Sequence, residues 1–285
     1  MLQGAVAGLA AGGVNAIVAV CLVLMSRVTR VVNFAQTAIG MFGAFAAVGL
    51  VGLGLPVWVA TIAGVLIGAA VSALTGLMLS AWLAEAPTGL RSAVTVCVLL
   101  VLIAVSFLLF GTRPLPFPPL LPGVAFRLGG VVVSQATVLL VVLAVLVAVG
   151  ANALLMRTLV GLRLRALSER PVTAELTGVR IAPLTVAVWA ATGVLATFVV
   201  SIIAPLQSND ALSLSTLVIP GAAAALAGGF TRLGLAVVGG LGLGLLDGLL
   251  AADDALAVMR ILLPLVAIVV LLIALQRRAV WDEAR

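Results

Sequence analysis

MRTLVGLRLRALSERPVTAELTGVRI, residues 156–181, is the one long polar and charged interruption in a chain that is otherwise nearly all hydrocarbon. It carries Arg157, Arg163, Arg165, Arg170 and Arg180 against Glu169 and Glu175, an excess of three positive charges. To either side the 285-residue chain is strongly apolar: 64% of it is hydrophobic and 8% charged, where a soluble domain has about 25% charged residues. Repeated apolar runs of about 18 or more residues can each cross a hydrocarbon layer about 30 Å thick as a helix. They do not alternate as the strands of a membrane barrel do. The expectation is an all-α fold, one polytopic transmembrane helical bundle over residues 1–285, with 156–181 as a loop at its cytoplasmic side.

Nine apolar segments lie outward from this loop, at 3–25, 33–50, 56–83, 92–110, 131–155, 183–203, 212–229, 233–250 and 258–276. The bundle is therefore expected to have about eight to ten spans. The first segment has no basic residue before it, unlike a signal peptide, and reads as a retained span. The second is short for a straight crossing and a candidate for a break within the membrane. In the seventh, Pro220 and Gly221 predict a pair of half-helices. Both of these segments are candidate re-entrant elements. Residues 111–130, with five prolines, predict an irregular surface loop.

Every basic residue is Arg, and the net charge is +6. With the N-terminus outside and the C-terminus cytoplasmic, twelve arginines fall inside and only Arg113, Arg127 and Arg260 outside, as the positive-inside rule requires. Arginines at the ends of apolar runs meet lipid headgroups, so the basic balance does not point to nucleic acid. Cys21 and Cys97 sit inside apolar runs and read as small hydrophobes, not as metal ligands or a disulfide.

The chain has no His, Tyr or Lys, which excludes a histidine base, a lysine Schiff base and a P-loop lysine. No catalytic residue, metal site or cofactor is indicated. The Gly-x-Gly at Gly242 and Gly244 reads as close helix packing through small residues, since no strand precedes it. Asp247 is the clearest ionisable group within an apolar run. It either pairs with Arg260 or serves as a proton relay, and pairing is the better reading because a proton-coupled carrier would show several such acids. In the long loop, Pro171 followed by Gly178 fits a helix from Pro171 to Thr177, roughly 10 Å long. On composition alone the better reading of this loop's arginines is an orientation signal.

The loop resembles that of the permease subunits of branched-chain amino-acid ABC importers, R-T-x-x-G-x-x-L-R-A-x-x-E-D-P-x-x-A-x-L-x-G-I/V. The spacing holds without a gap through Arg157, Thr158, Gly161, Leu164, Arg165, Ala166, Glu169, Pro171, Ala174, Leu176, Gly178 and Val179. VVNFAQTAIGMFGAF from Val31 and LAGGFTRLGLAVVGGLGLGLLDGLL from Leu226 are similar to two further segments of that family.

The resemblance implies a subunit of the bacterial plasma membrane that moves a small polar solute, a branched-chain amino acid or a relative, and has no ATPase site of its own. Its partners would be cytoplasmic ABC ATPase subunits, a second permease subunit, identical or not, and an extracytoplasmic solute-binding protein. Gly161, Arg165, Glu169, Pro171, Ala174 and Gly178 would couple the loop to the ATPase. Asn33, Gln36 and Thr37 are the residues read here for the polarity of the translocation pathway, with hydrogen bonding to neighbouring helices as their other reading. A permease for a sugar, nucleoside, urea or amide, and a secondary carrier without an ATPase, are the alternatives. The chain departs from the family pattern at Thr37 and Ala38, where a Gly-Glu pair is usual. It departs again at Arg170, which replaces an Asp that would cap the short helix, and at Glu175, which stands where a basic residue is common.

Overall fold

The computed structural model describes residues 2–128, 131–169, 181–207, 209–253 and 256–283. The expected helical bundle is what it shows. Among the described residues six helices are long and apolar enough to cross a membrane, and Gln36–Gly52, Ala211–Ala227 and Leu263–Gln276 are shorter apolar helices. Together these account for the nine segments. The elements are α1 (Leu2–Thr29), α2 (Gln36–Gly52), α3 (Val57–Trp82), α4 (Thr88–Phe110), β1 (Val124–Leu128), β2 (Val131–Ser134) and α5 (Gln135–Arg157). Then follow α6 (Leu159–Glu169), α7 (Ile181–Ile203), α8 (Ala211–Thr216), α9 (Val218–Ala227), α10 (Leu233–Leu250) and α11 (Leu263–Glu283).

Several boundaries differ from the sequence expectation. The break in the seventh segment falls at Leu217, between α8 and α9, and not at Pro220 and Gly221. Pro220 has no N–H for the Thr216 carbonyl and its ring crowds that turn, so the interruption lies on its N-terminal side. The proline itself sits in the first turn of α9, where an N–H has no intrahelical partner. Pro264 likewise lies in the first turn of α11, which starts at Leu263, and residues 257–261 form a 3-10 turn where the apolar run predicts helix. The proline-rich connection is not purely surface. Phe117 and Leu120 are buried, with the Phe117 ring 5.6 Å from that of Phe45. The run from Val131 begins as a strand, paired antiparallel to β1 with Arg127 opposite Val132. Three consecutive valines favour that extended start.

The chain forms two compact units, one of Met1–Val23, Pro122–Ala148 and Ile219–Arg285, the other of Leu24–Leu121 and Val149–Val218. In the first, α1 and α10 pack through glycine. A Cβ on Gly4 would lie 2.6 Å from the Gly248 carbonyl oxygen, and one on Gly244 would overlap the backbone of Gly12. Gly242, by contrast, meets nothing within 4 Å, so only one residue of the Gly-x-Gly pair serves packing. In the second unit the first half of α2 is buried, packed on α3, α4, α7 and α8. Gly64, Gly68 and Gly76 of α3 face α2 and α7, and a Cβ on Gly76 would overlap the Trp189 ring. Lipid gives helices no hydrophobic reason to associate, and close approach of small residues supplies the van der Waals contact instead.

Gly244→Val should therefore destabilise the purified chain by about 3 kcal/mol, the upper range for overpacking, whereas Gly242→Val should leave its thermal midpoint in detergent unchanged.

Candidate functional site

The described part of the charged stretch is helical, not a loop, as far as Glu169. α5 runs to Arg157, and α6 starts two residues later. Thr158 makes the joint. Its hydroxyl accepts a hydrogen bond from the Gly161 N–H at 3.0 Å and donates to the Leu154 carbonyl at 2.6 Å. This is an N-cap, which satisfies an N–H that the first turn leaves without a partner. Gly161 lies against the last turn of α5, where a Cβ would overlap the Leu154 carbonyl oxygen. The Thr158–Gly161 spacing is thus an elbow. The sequence reading included Thr158 in the matched pattern and assigned it no role; its place three residues before Gly161 is the signal for a cap.

α6 is amphipathic. Leu164 and Leu167 are buried, while Leu159, Leu162 and Arg163 are exposed. Leu164 joins a cluster with Met25 and Val28 of α1, Leu79 of α3, Leu155 of α5, and Val188 and Trp189 of α7. Arg165 points its Nε inward, with no hydrogen-bond partner among the described residues. α6 is described as far as Glu169. Pro171, Ala174 and Gly178, the expected helix from Pro171 to Thr177, and the Arg170 and Glu175 exchange all lie outside the described residues.

The second group of residues sits where α1 gives way to α2. Arg30 has φ +54°, and residues 30–35 are not helical. Buried backbone of this kind needs partners within the protein, and α4 supplies them. The Val32 N–H donates to Ser92 Oγ at 3.1 Å and the Phe34 N–H to Thr95 Oγ1 at 3.0 Å. Asn33 Oδ1 accepts from the Ala35 N–H, while Asn33 Nδ2 donates to Gln36 Oε1 at 2.9 Å. Gln36 Nε2 in turn donates to the Thr192 carbonyl of α7 at 2.8 Å, and the Thr37 hydroxyl donates to the Ser215 carbonyl of α8. All three of Asn33, Gln36 and Thr37 are fully buried. Sequence reasoning did not single out Ser92 and Thr95, because their partners are backbone groups about 60 residues away.

Trp189 connects the two groups. Its side chain lies in the cluster that holds α6, and its carbonyl accepts from Ser72 Oγ at 2.6 Å and from Thr192 Oγ1 at 2.9 Å. One turn along α7, the Thr192 carbonyl holds Gln36. A contiguous path of packed side chains and hydrogen bonds runs from α6 to the α1–α2 break.

Asp247 pairs with Arg260, as expected. The guanidinium donates twice, from Nε at 2.9 Å and Nη2 at 2.7 Å, and both side chains are partly exposed. At the start of α8, Asp210 caps the helix by accepting from the Ser213 N–H at 3.0 Å. Burial works to raise the pKa of Asp210, but hydrogen bonds from the Ser213 backbone and hydroxyl and from nearby backbone outweigh it and hold the carboxyl below its ordinary value.

Residues 3–275 match the sequence profile of the family described as branched-chain amino acid transport system / permease component. The chain belongs to that family and is a multi-pass membrane transport protein. No curated protein and no solved structure matches it.

Thr158→Ala should cost α6 about 1 kcal/mol, read as faster hydrogen exchange at the amides of residues 162–168, and Gly161→Val should speed the same amides further. For Asp210 the sign follows from a folded pKa below the unfolded one: the cap contributes its full stability above the unfolded carboxylate value of about 3.9 and loses it as pH falls through the lower folded value. Protection of the Ser213 amide, corrected for intrinsic exchange, should be flat above about pH 4 and fall below it. Asp210→Asn, which still caps, should remove that pH dependence.

Proposed function

We propose that this chain is the permease subunit of an ATP-driven importer, which passes a branched-chain amino acid or related small polar solute inward across a bacterial plasma membrane. The observation that carries the reading is the family match over residues 3–275. Cytoplasmic ATPase subunits, a second permease subunit and an extracytoplasmic binding protein complete the machine. The N-terminus lies outside and the C-terminus in the cytoplasm, a placement that rests on the arginine distribution.

In this reading α6 and the residues after it are the coupling element. Gly161 sets the elbow, Arg165 and Glu169 continue it, and Pro171, Ala174 and Gly178 shape the part that meets the ATPase. Docking of α6 against Trp189 and Leu79 supports this, because a push on the exposed face of α6 is delivered into α7 and α3. Asn33, Gln36 and Thr37 belong to the pathway as its wall. The hydrogen bonds of Gln36 to α7 and of Thr37 to α8, with Asn33 bonded to Gln36, hold the α1–α2 break in one arrangement, and alternating access exchanges them for others. The solute then moves past a segment whose polar groups are already neutralised by partners.

Glu169→Ala combined with Gly178→Val tests the coupling. ATP-dependent uptake by vesicles carrying the complex should fall at least tenfold, with membrane insertion and expression unchanged. Full uptake in the double variant removes the coupling role. Uptake that persists without any ATPase and follows an ion gradient makes the chain a secondary carrier.

A further inference from the structure

Polar side chains inside a transmembrane bundle are ordinarily spent on other helices, and Gln36, Thr37, Ser72 and Thr95 follow that rule. Asn15 does not. It is 5% exposed, and its Oδ1 is buried with no hydrogen-bond partner. It is also the fourteenth residue of the 28-residue α1, and so sits at the middle of the helix.

Its neighbours explain why no partner is found. Gly8, Gly12 and Ala16 pack on α10, while Val18 of α1 lies against Gly221 of α9. At about 100° per residue, Asn15 falls between the positions of Gly8 and Val18, on the side of α1 that α9 and α10 approach. There α9 and α10 are themselves in contact, with a Cβ on Gly239 meeting Ala227 Cβ at 2.7 Å. The facing stretches, GAAAALA (221–227) and LGLAVVGGLGLGLL (233–246), contain no hydrogen-bonding side chain. Backbone N–H groups inside the two helices bond within their own helices. Neither α9 nor α10 therefore offers a donor to this oxygen. A buried carbonyl oxygen with no donor lowers stability, so an amide kept here points to a donor that arrives from outside the chain.

We infer that Asn15 is a subsite for the transported solute, and that its Oδ1 accepts a hydrogen bond from an N–H of that solute, an ammonium or amide nitrogen, halfway along α1. Small residues on both facing helices leave the amide as the sole polar feature of the site. The inference rests on the transport role proposed above, but its first test does not require the ATPase.

The purified full chain is unfolded thermally in lipid nanodiscs with L-leucine, L-valine, L-glutamine, urea or acetamide, and with 4-methylpentanoate, which is leucine without its ammonium group. At ten times its dissociation constant, at least one N–H solute should raise the midpoint of the wild-type chain by about 3 °C. 4-Methylpentanoate, which has no donor at that position, should not raise it. Asn15→Leu keeps the branched heavy-atom shape and removes the orphaned oxygen; it should unfold at the wild-type temperature or higher and show no solute shift. Asn15→Ala, which cannot overpack, should also show none. An equal shift in wild type and variants overturns the subsite, as does the absence of a shift with every N–H solute, or a fall in the midpoint of both variants without solute, which marks a structural amide. ATP-dependent uptake of the same solute is measured separately: if binding depends on Asn15 but uptake does not depend on the ATPase, the importer reading fails and the subsite stands.

Discussion

A hydrocarbon interior offers no water to a backbone N–H or carbonyl, so each interruption of a helix there must be met by other parts of the protein. This chain interrupts its helices at residues 30–35 and at Leu217. The first break is satisfied by Ser92 and Thr95 of α4 and by Asn33 itself. At the second, Thr37 reaches the Ser215 carbonyl in the last turn of α8, where carbonyls lack intrahelical partners. Thr37 belongs to the first turn of the helix that follows the first break, so the two interruptions are tied by one hydroxyl. A change of backbone at either one must disturb the other.

Around these soft points the packing is stiff. α3 meets α7 through glycine faces, as α1 meets α10, and at Gly76 the Trp189 ring occupies space a side chain would need. Interiors packed at this density are only slightly compressible, and they transmit displacement instead of absorbing it. Contacts of this type favour movement of helices as pairs, since separating them forfeits close approach along their whole length.

Much of this was legible in the sequence. Nine apolar segments, the interruption of the seventh, and the partnership of Asp247 with Arg260 all follow from hydropathy, proline chemistry and charge, whereas the second runs unbroken as α2 over Gln36–Gly52. What was not legible depends on where a local rule takes effect or on distant contacts. Pro220 marks a break, but its steric demand acts on the preceding turn, so the interruption appears at Leu217. The charges of 156–169 read as loop, yet leucines at helical spacing dock α6 in the cluster around Trp189. Ser92 and Thr95 look like ordinary small polar residues of a span, and only the fold brings the N–H groups of Val32 and Phe34 to them. Asn33, Gln36 and Thr37 stood out as polar residues within an apolar run; the carbonyls that Gln36 and Thr37 bind, at Thr192 and Ser215, lie some 150 residues or more further along.

In the proposed permease these two mechanical characters are complementary. Force applied to α6 enters through Leu164 into a cluster that includes both ends of the problem: Leu79 and Trp189, which belong to the tightly packed α3–α7 pair, and Val31, a residue of the break. The pair resists deformation, whereas the break is held by individual hydrogen bonds, each worth only about 1 kcal/mol net. A displacement small enough to leave the glycine contacts intact can still exchange one bond of Gln36 or Thr37 for another. The lever is therefore strong where helices touch through glycine and yields where polar side chains stand in for missing helix, which places the conformational choice at residues 30–37 and not within any single span.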